Sequence, residues 1–239
     1  MAKYIHEFET KAAYNTERVN NYIEPWTSLT DSTGIVNYNK SIPNMNGHEY
    51  VDLGLPSGNL WATMNIGANS FQDSGYYFSY AETSPKESYA ENTYNFIENN
   101  NYTKYNSTDG LTELELEDDA AHIIWRGDWI IPSKDDWYEL WNNTTASGSG
   151  SNPNRIITLR SNINNNEIKF GLPCGYMNNS TTSESSLHAY LLTSTSQISS
   201  QVHYCWPVNL YYYSANDIRN ESAWTYRYRG YTVRPIIRL

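Results

Sequence analysis

The chain has 239 residues, 39% of them apolar, and 16 basic against 26 acidic side chains give a net charge of −10. That length suits one large domain or a domain with a smaller extension. The basic residues form no block, which argues against a phosphate-tracking groove and so against nucleic acid as a partner. No apolar run approaches the ~20 residues of a membrane helix, so no membrane insertion is expected.

Residues 1–45 read as a separate N-terminal β extension, for docking or homo-oligomer formation. Residues 22–30 and 35–38 are its two strands, and Asp31-Ser32-Thr33-Gly34 supplies the turn. Residues 46–239 form the main domain. It opens with a strand at 50–53, a Gly-Leu-Pro-Ser-Gly turn and a second strand at 59–64. Residues 84–110 lack periodicity and read as a long loop. A helix is predicted over 114–125, with Thr112 and Glu115 in capping-box relation and Ala120, Ala121, Ile124 and Trp125 facing the core. A second helix starts after Ser133, where Ser133 and Asp136 form an N-cap signature and Trp137, Leu140 and Trp141 make one apolar stripe. Residues 142–154 read as loop. Short strands follow at 155–159, 167–172, 191–194, 204–212 and 231–237. Two helices followed by many short, mostly antiparallel strands point to an α+β fold.

The aromatic content is unusual in kind, with 22 Tyr and 8 Trp against 5 Phe. Tyr and Trp join an apolar body to a polar tip, which suits half-wet contact surfaces and also cross-strand pairing in sheets. Cys174 and Cys205 form no metal-binding spacing and no disulfide framework, and the five histidines show neither HxH nor HExxH. The Glu117-Asp118-Asp119 run lacks the alternating spacing of a calcium loop and reads as helix N-terminal charge. No catalytic residue, metal site or cofactor is nominated. Residues 1–15 carry no apolar segment of the secretory kind, so the expectation is a protein made in the cytoplasm.

Between Val202 and Tyr213 strand alternation sorts the side chains into two sets. Trp206, Val208 and Leu210 make a core face. His203, Cys205, Pro207, Asn209, Tyr211 and Tyr213 make an outward face of mixed chemistry, better suited to display than to a core. Pro207 lacks an N–H and suggests an edge or irregular strand. Asn216, Asp217, Arg219 and Asn220 in the next loop continue the pattern, as do Tyr226, Tyr228 and Arg229, with Tyr190 and Leu192 bordering. Tyr offers contact area at low entropic cost, Asn adaptable hydrogen bonds and Arg an anchor, so these residues are the candidate ligand-binding set.

Residues 49–63, Glu-Tyr-Val-Asp-Leu-Gly-Leu-Pro-Ser-Gly-Asn-Leu-Trp-Ala-Thr, resemble the opening of a large bacterial paralogous-domain family. That family is related to the formylglycine-generating-enzyme-like branch of the C-type-lectin fold. Further blocks follow in the expected order: Asn65-Ile66-Gly67-Ala68, Ala81-Glu82-Thr83, residues 117–121, Trp129-Ile130-Ile131-Pro132-Ser133, Trp137-Tyr138-Glu139-Leu140 and Gly230-Tyr231-Thr232-Val233-Arg234-Pro235. The same fold and ending are similar to the variable proteins of diversity-generating retroelements, many of them phage-encoded. There a reverse transcriptase mutates adenines in a copied C-terminal segment, and Asn codons cannot become Met, Trp, Gln, Lys or Glu. Residues 202–231 contain no Lys, Met or Gln, one Glu and two Trp. The resemblance implies a C-type-lectin-like domain with a variable segment over residues 188–231. It also implies a non-enzymatic role in binding a protein or glycan receptor on a target cell, as in a phage tail fibre or tail tip. A non-diversified adhesive domain is the alternative. An oxidase of the formylglycine-generating type would need its chemistry from a cysteine pair.

Overall fold

The computed structural model describes residues 29–30, 36–37, 44–172, 174–184, 186–198 and 204–238. Among these the protein is α+β, mostly sheet with two short α-helices. Of the N-terminal extension, Leu29–Thr30 pairs antiparallel with Val36–Asn37; the rest of the expected hairpin lies outside the described residues. Asn44–Met45 pairs with His48–Asp52, and Met45 is buried in the core.

The second helix, Lys134–Asn142, starts as its sequence predicts. Ser133 Oγ accepts from Asp136 N at 3.2 Å and Asp136 Oδ2 accepts from Ser133 N at 2.8 Å, satisfying two otherwise unpaired donors. The first helix is shorter than expected, Ala120–Trp125. Asp119, not Thr112, caps it, accepting from Ala121 N at 2.8 Å and His122 N at 3.0 Å. Its second carboxylate oxygen takes Ile131 N at 2.8 Å. The preceding acidic residues serve another purpose: Glu115, Glu117 and Asp118 close on Lys104 Nζ at 2.6, 2.9 and 2.7 Å, and Leu116–Asp118 is only a 3₁₀ turn. With so few turns, Ala120, Ala121 and Trp125 are buried while Ile124 faces solvent.

Three stretches expected as loop are structured, one of them being Asp217–Asn220 within 214–223, a strand paired with Val208–Ser214. Thr144–Ser149 is a strand paired with Ile156–Ser161. Its Gly148 lies under the Tyr212 ring, where a Cβ would come within 2.4 Å, so this glycine, which reads as loop, is what lets the strand pass beneath an aromatic. Within 84–110, Tyr89, Tyr94 and Tyr105 are buried and their hydroxyls donate to Tyr77 O at 2.6 Å, Tyr80 O at 2.9 Å and Asp118 Oδ2 at 2.7 Å. Three phenols thereby fasten a segment that carries only a 3₁₀ turn and a two-residue hairpin.

One five-stranded sheet runs in the order Asn44–Met45, His48–Asp52, Leu60–Ala62, Ile236–Ile237, Trp129–Ile130. The end of the chain thus lies beside the start of the main domain. The other runs Asp217–Asn220, Val208–Ser214, His188–Leu191, Tyr231–Thr232, Tyr77–Phe78, with one parallel pair between His188–Leu191 and Tyr231–Thr232. A three-stranded sheet of Ser196–Gln197, Tyr204–Cys205 and Thr225–Tyr226 lies apart from it in the pairing. Two buried clusters hold these layers together, one around Ile66, Phe78, Tyr80, Trp129 and Val233, the other around Trp61, Trp137, Phe170, Leu191 and Leu210. Arg234 is fully buried and ties blocks distant in sequence, donating to Asn65 Oδ1 at 2.8 Å, Thr63 O at 3.0 Å and Lys169 O at 3.1 Å.

Candidate functional site

The expected 204–212 strand is two strands, Tyr204–Cys205 and Val208–Ser214, and they belong to different sheets. Pro207 has no N–H to give a ladder, and the alternation resets across it. The consequence is a correction to the sorting of faces. Cys205 is fully buried and Pro207 is buried, so neither presents a ligand contact; Leu192, expected at the border, is core. Trp206, expected inside, is half-exposed. Past the break the alternation holds: Val208, Leu210 and Tyr212 pack inward, and Asn209, Tyr211 and Tyr213 occupy the opposite face. His203 lies outside the described residues.

On that outer face the side chains form a continuous aromatic stripe. Tyr211 pairs across strands with His188, and their rings stack at 4.5 Å and 11°. His188 lies 5.7 Å from Tyr190, which meets Tyr176 edge-on at 5.1 Å. The guanidinium of Arg229 bridges the next step, 4.9 Å over Tyr176 and 5.0 Å over Tyr226. Tyr226 stacks on Tyr228 at 5.1 Å and pairs with Tyr204 at 5.6 Å. In the Tyr204–Cys205 and Thr225–Tyr226 ladder, Tyr204 faces Tyr226 and Cys205 faces Thr225. Just beyond that ladder Trp206 and Trp224 meet, with rings 4.8 Å apart. At the opposite end Tyr211 leads to Tyr213 at 6.1 Å, and Arg219 lies 4.3 Å over the Tyr213 ring while it pairs with Asp217 at 2.6 Å. Tyr213 is 61% exposed and Tyr226 38%.

Polar groups fix the rings in the middle of the stripe. Asn209 is 5% exposed, so it acts more as a bracket than as a free contact. Its Oδ1 meets His188 Nδ1 at 2.9 Å, and its Nδ2 donates to the Tyr190 hydroxyl at 3.2 Å. The Tyr190 hydroxyl in turn donates to Glu184 Oε2 at 2.5 Å. Burial and then this carboxylate push the Tyr190 phenol well above its ordinary value, keeping it a neutral donor. Asn216 is exposed beside the 208–214 strand end, and Asn220, the last residue of the Asp217–Asn220 strand, accepts from the Ser222 hydroxyl. Gly230 seats the Tyr176–Asn178 strand against the C-terminal segment. It exchanges backbone hydrogen bonds with Met177 at 2.8 and 3.0 Å, and a Cβ there would meet Met177 Cβ and the Tyr89 ring.

The structure therefore brings together Tyr190, Asn209, Tyr211, Tyr213, Asp217, Arg219, Tyr226, Tyr228 and Arg229. To these it adds Tyr176, Glu184, His188, Tyr204, Trp206 and Trp224. The added residues have no spacing signal, because strand pairing decides which of them are neighbours. Both cysteines are free and buried in different clusters, and burial pushes each thiol up to about 12, away from nucleophilic use. Among the described residues the carboxylates of Glu115, Glu117 and Asp118 form one cluster with metal-ligand spacing, and Lys104 fills it. Two clefts, of about 290 and 520 Å³, lie away from the stripe, one lined by residues such as Glu113 and Arg238, the other by residues 82–88. No helix of the described residues is long and apolar enough to cross a membrane. Comparison with known protein families, with curated proteins and with solved structures finds no match.

Proposed function

We propose that this chain is a ligand-recognition protein that displays an exchangeable surface on a C-type-lectin-like scaffold, of the kind diversified by a retroelement and carried on a phage tail tip. The observation that carries this reading is a division of labour within one segment. The large apolar residues Trp61, Ile66, Trp129, Leu140, Tyr231 and Val233, drawn from the blocks resembling the bacterial domain family, are core, each at most 1% exposed. Between them, the outward positions of residues 188–229 carry Tyr, His, Arg and Trp whose rings touch one another and reach solvent. Tyr, Trp and Arg are the side chains that most often anchor protein interfaces, and small changes among them leave a buried framework intact.

The partner on this reading is a receptor on a target cell surface, taken as an acceptor of aromatic and hydrogen-bonding contacts. Multiple copies on one particle would add avidity without new contacts. The oxidase alternative gains no support from thiols that are separated between clusters and shifted upward by burial. Sibling copies of the gene test the proposal: their differences should fall on codons of Tyr190, Tyr211, Tyr213, Arg219, Tyr226 and Tyr228, at adenines of a nearby template copy. Differences scattered evenly over core and surface positions would overturn it.

A further inference from the structure

Lys134 opens the second helix, with its backbone N–H on Thr195 Oγ1 at 2.9 Å, and extends its side chain into a basin of three rings. Its Nζ is 5.6 Å from the Trp206 centroid, 5.8 Å from Trp224 and 5.9 Å from Tyr138. The rings come from three separate segments, and they touch: Trp206 lies 4.8 Å from Trp224 and 6.5 Å from Tyr138. Tyr138 is 40% exposed and both indoles are half-buried, so the basin is partly open to solvent. Among the described residues the Lys134 ammonium has no ion pair and no hydrogen-bond acceptor, and three π faces lie within cation–π range of it.

Such a surround suits a weakly hydrated cation better than a primary ammonium. A primary ammonium is a compact, strongly hydrated charge with three donors to satisfy. Here no protein acceptor among the described residues is bonded to it, so only solvent meets its donors, and it stands near the ~6 Å outer reach of a cation–π contact from every ring at once. An ammonium bearing methyl groups has fewer or no N–H donors to satisfy and fills the radius that the bare head leaves open. We propose that Tyr138, Trp206 and Trp224 form a binding site for methylated ammonium groups, in which Lys134 is a built-in occupant that the ligand displaces. The four-carbon stem of Lys134 lets the ammonium swing into solvent, and no ion pair holds it back. This site stands on its own ring geometry and does not require the rest of the stripe to bind a receptor.

The test is a titration of the full chain with tetramethylammonium chloride, read by tryptophan fluorescence and by indole N–H resonances. Sodium chloride at matched ionic strength is the reference. Lys134→Ala removes the competitor, and saturation should occur at about five- to tenfold lower concentration than in the wild type, the factor given by an exposed cation–π contact of roughly 1 kcal/mol. Tyr138→Ala and Trp224→Leu, each placed in the Lys134→Ala background, should weaken the response at least about tenfold, and a melting curve establishes that each remains folded. Phosphocholine and a trimethyl-lysine tripeptide then distinguish a lipid-type headgroup from a modified protein; tighter binding of either supports the site. No saturable response in Lys134→Ala, or one that sodium reproduces, or one unchanged by Tyr138→Ala, overturns the proposal.

Discussion

At the scale of single residues, the arginines near the C-terminus divide by burial. Arg227 is fully buried and donates to Tyr105 O at 2.8 Å, Gln197 O at 3.3 Å and Tyr204 O at 3.3 Å, with its guanidinium 5.1 Å over Tyr80. Arg229, two positions on, is half-buried, lying over Tyr176 and Tyr226 and donating to Thr225 Oγ1 at 3.2 Å. Arg227→Met leaves three carbonyls without their donor and should cost about 2–4 kcal/mol in urea unfolding. Arg229→Gln should stay within about 1 kcal/mol. Equal losses for the two would contradict this assignment of inner and outer roles. The cysteines give a second residue-scale expectation. With both thiols buried and pushed up to about 12, thiol-reactive dye at pH 8 should label neither in the native protein and both in guanidinium.

At the scale of elements, Pro207 decides which side chains are seen. It ends one strand two residues in and lets the next join another sheet, so that Cys205 and Val208, three apart, both point inward. A uniform alternation through 202–213 cannot produce that pair, and the expectation for Trp206 failed for the same reason. The second helix is the opposite case, since its reciprocal Ser133 and Asp136 bonds are local and legible at i, i+3. Ser133→Ala should cost about 1 kcal/mol by loss of that cap, measured as a shift in the urea midpoint at unchanged slope. The first helix starts later than its sequence implies because Glu115, Glu117 and Asp118 pair with Lys104, eleven to fourteen positions away, instead of forming a helical first turn.

At the scale of the whole molecule, stability and display draw on different residues. Val208, Leu210 and Tyr212 join the cluster of Trp61, Trp137 and Phe170, whereas Tyr211 and Tyr213 leave the same strand on its other side. Replacing Tyr211, Tyr213, Tyr226 and Tyr228 together by Ser removes cross-strand ring contacts of about 0.2–1 kcal/mol each. Leu210→Ala alone should cost about 2–5 kcal/mol through lost burial and a residual cavity. The quadruple surface variant is therefore expected to melt no lower than the single core variant, with far-ultraviolet dichroism unchanged. A surface variant that unfolds at room temperature would show the stripe to be structural.

What the sequence determined by itself is local or compositional: an α+β class, the capped second helix, an aromatic-rich C-terminal segment and the in-strand alternation of residues 208–213. These follow from spacing within a few residues, where helix and strand geometry act directly. Tertiary structure alone decided that Trp206 meets Trp224, that Arg229 joins Tyr176 to Tyr226, that Lys134 enters a ring of aromatics, and that Cys205 is core. Those outcomes depend on which strands pair and where a proline breaks a ladder, and strand pairing is set by the burial of the whole chain.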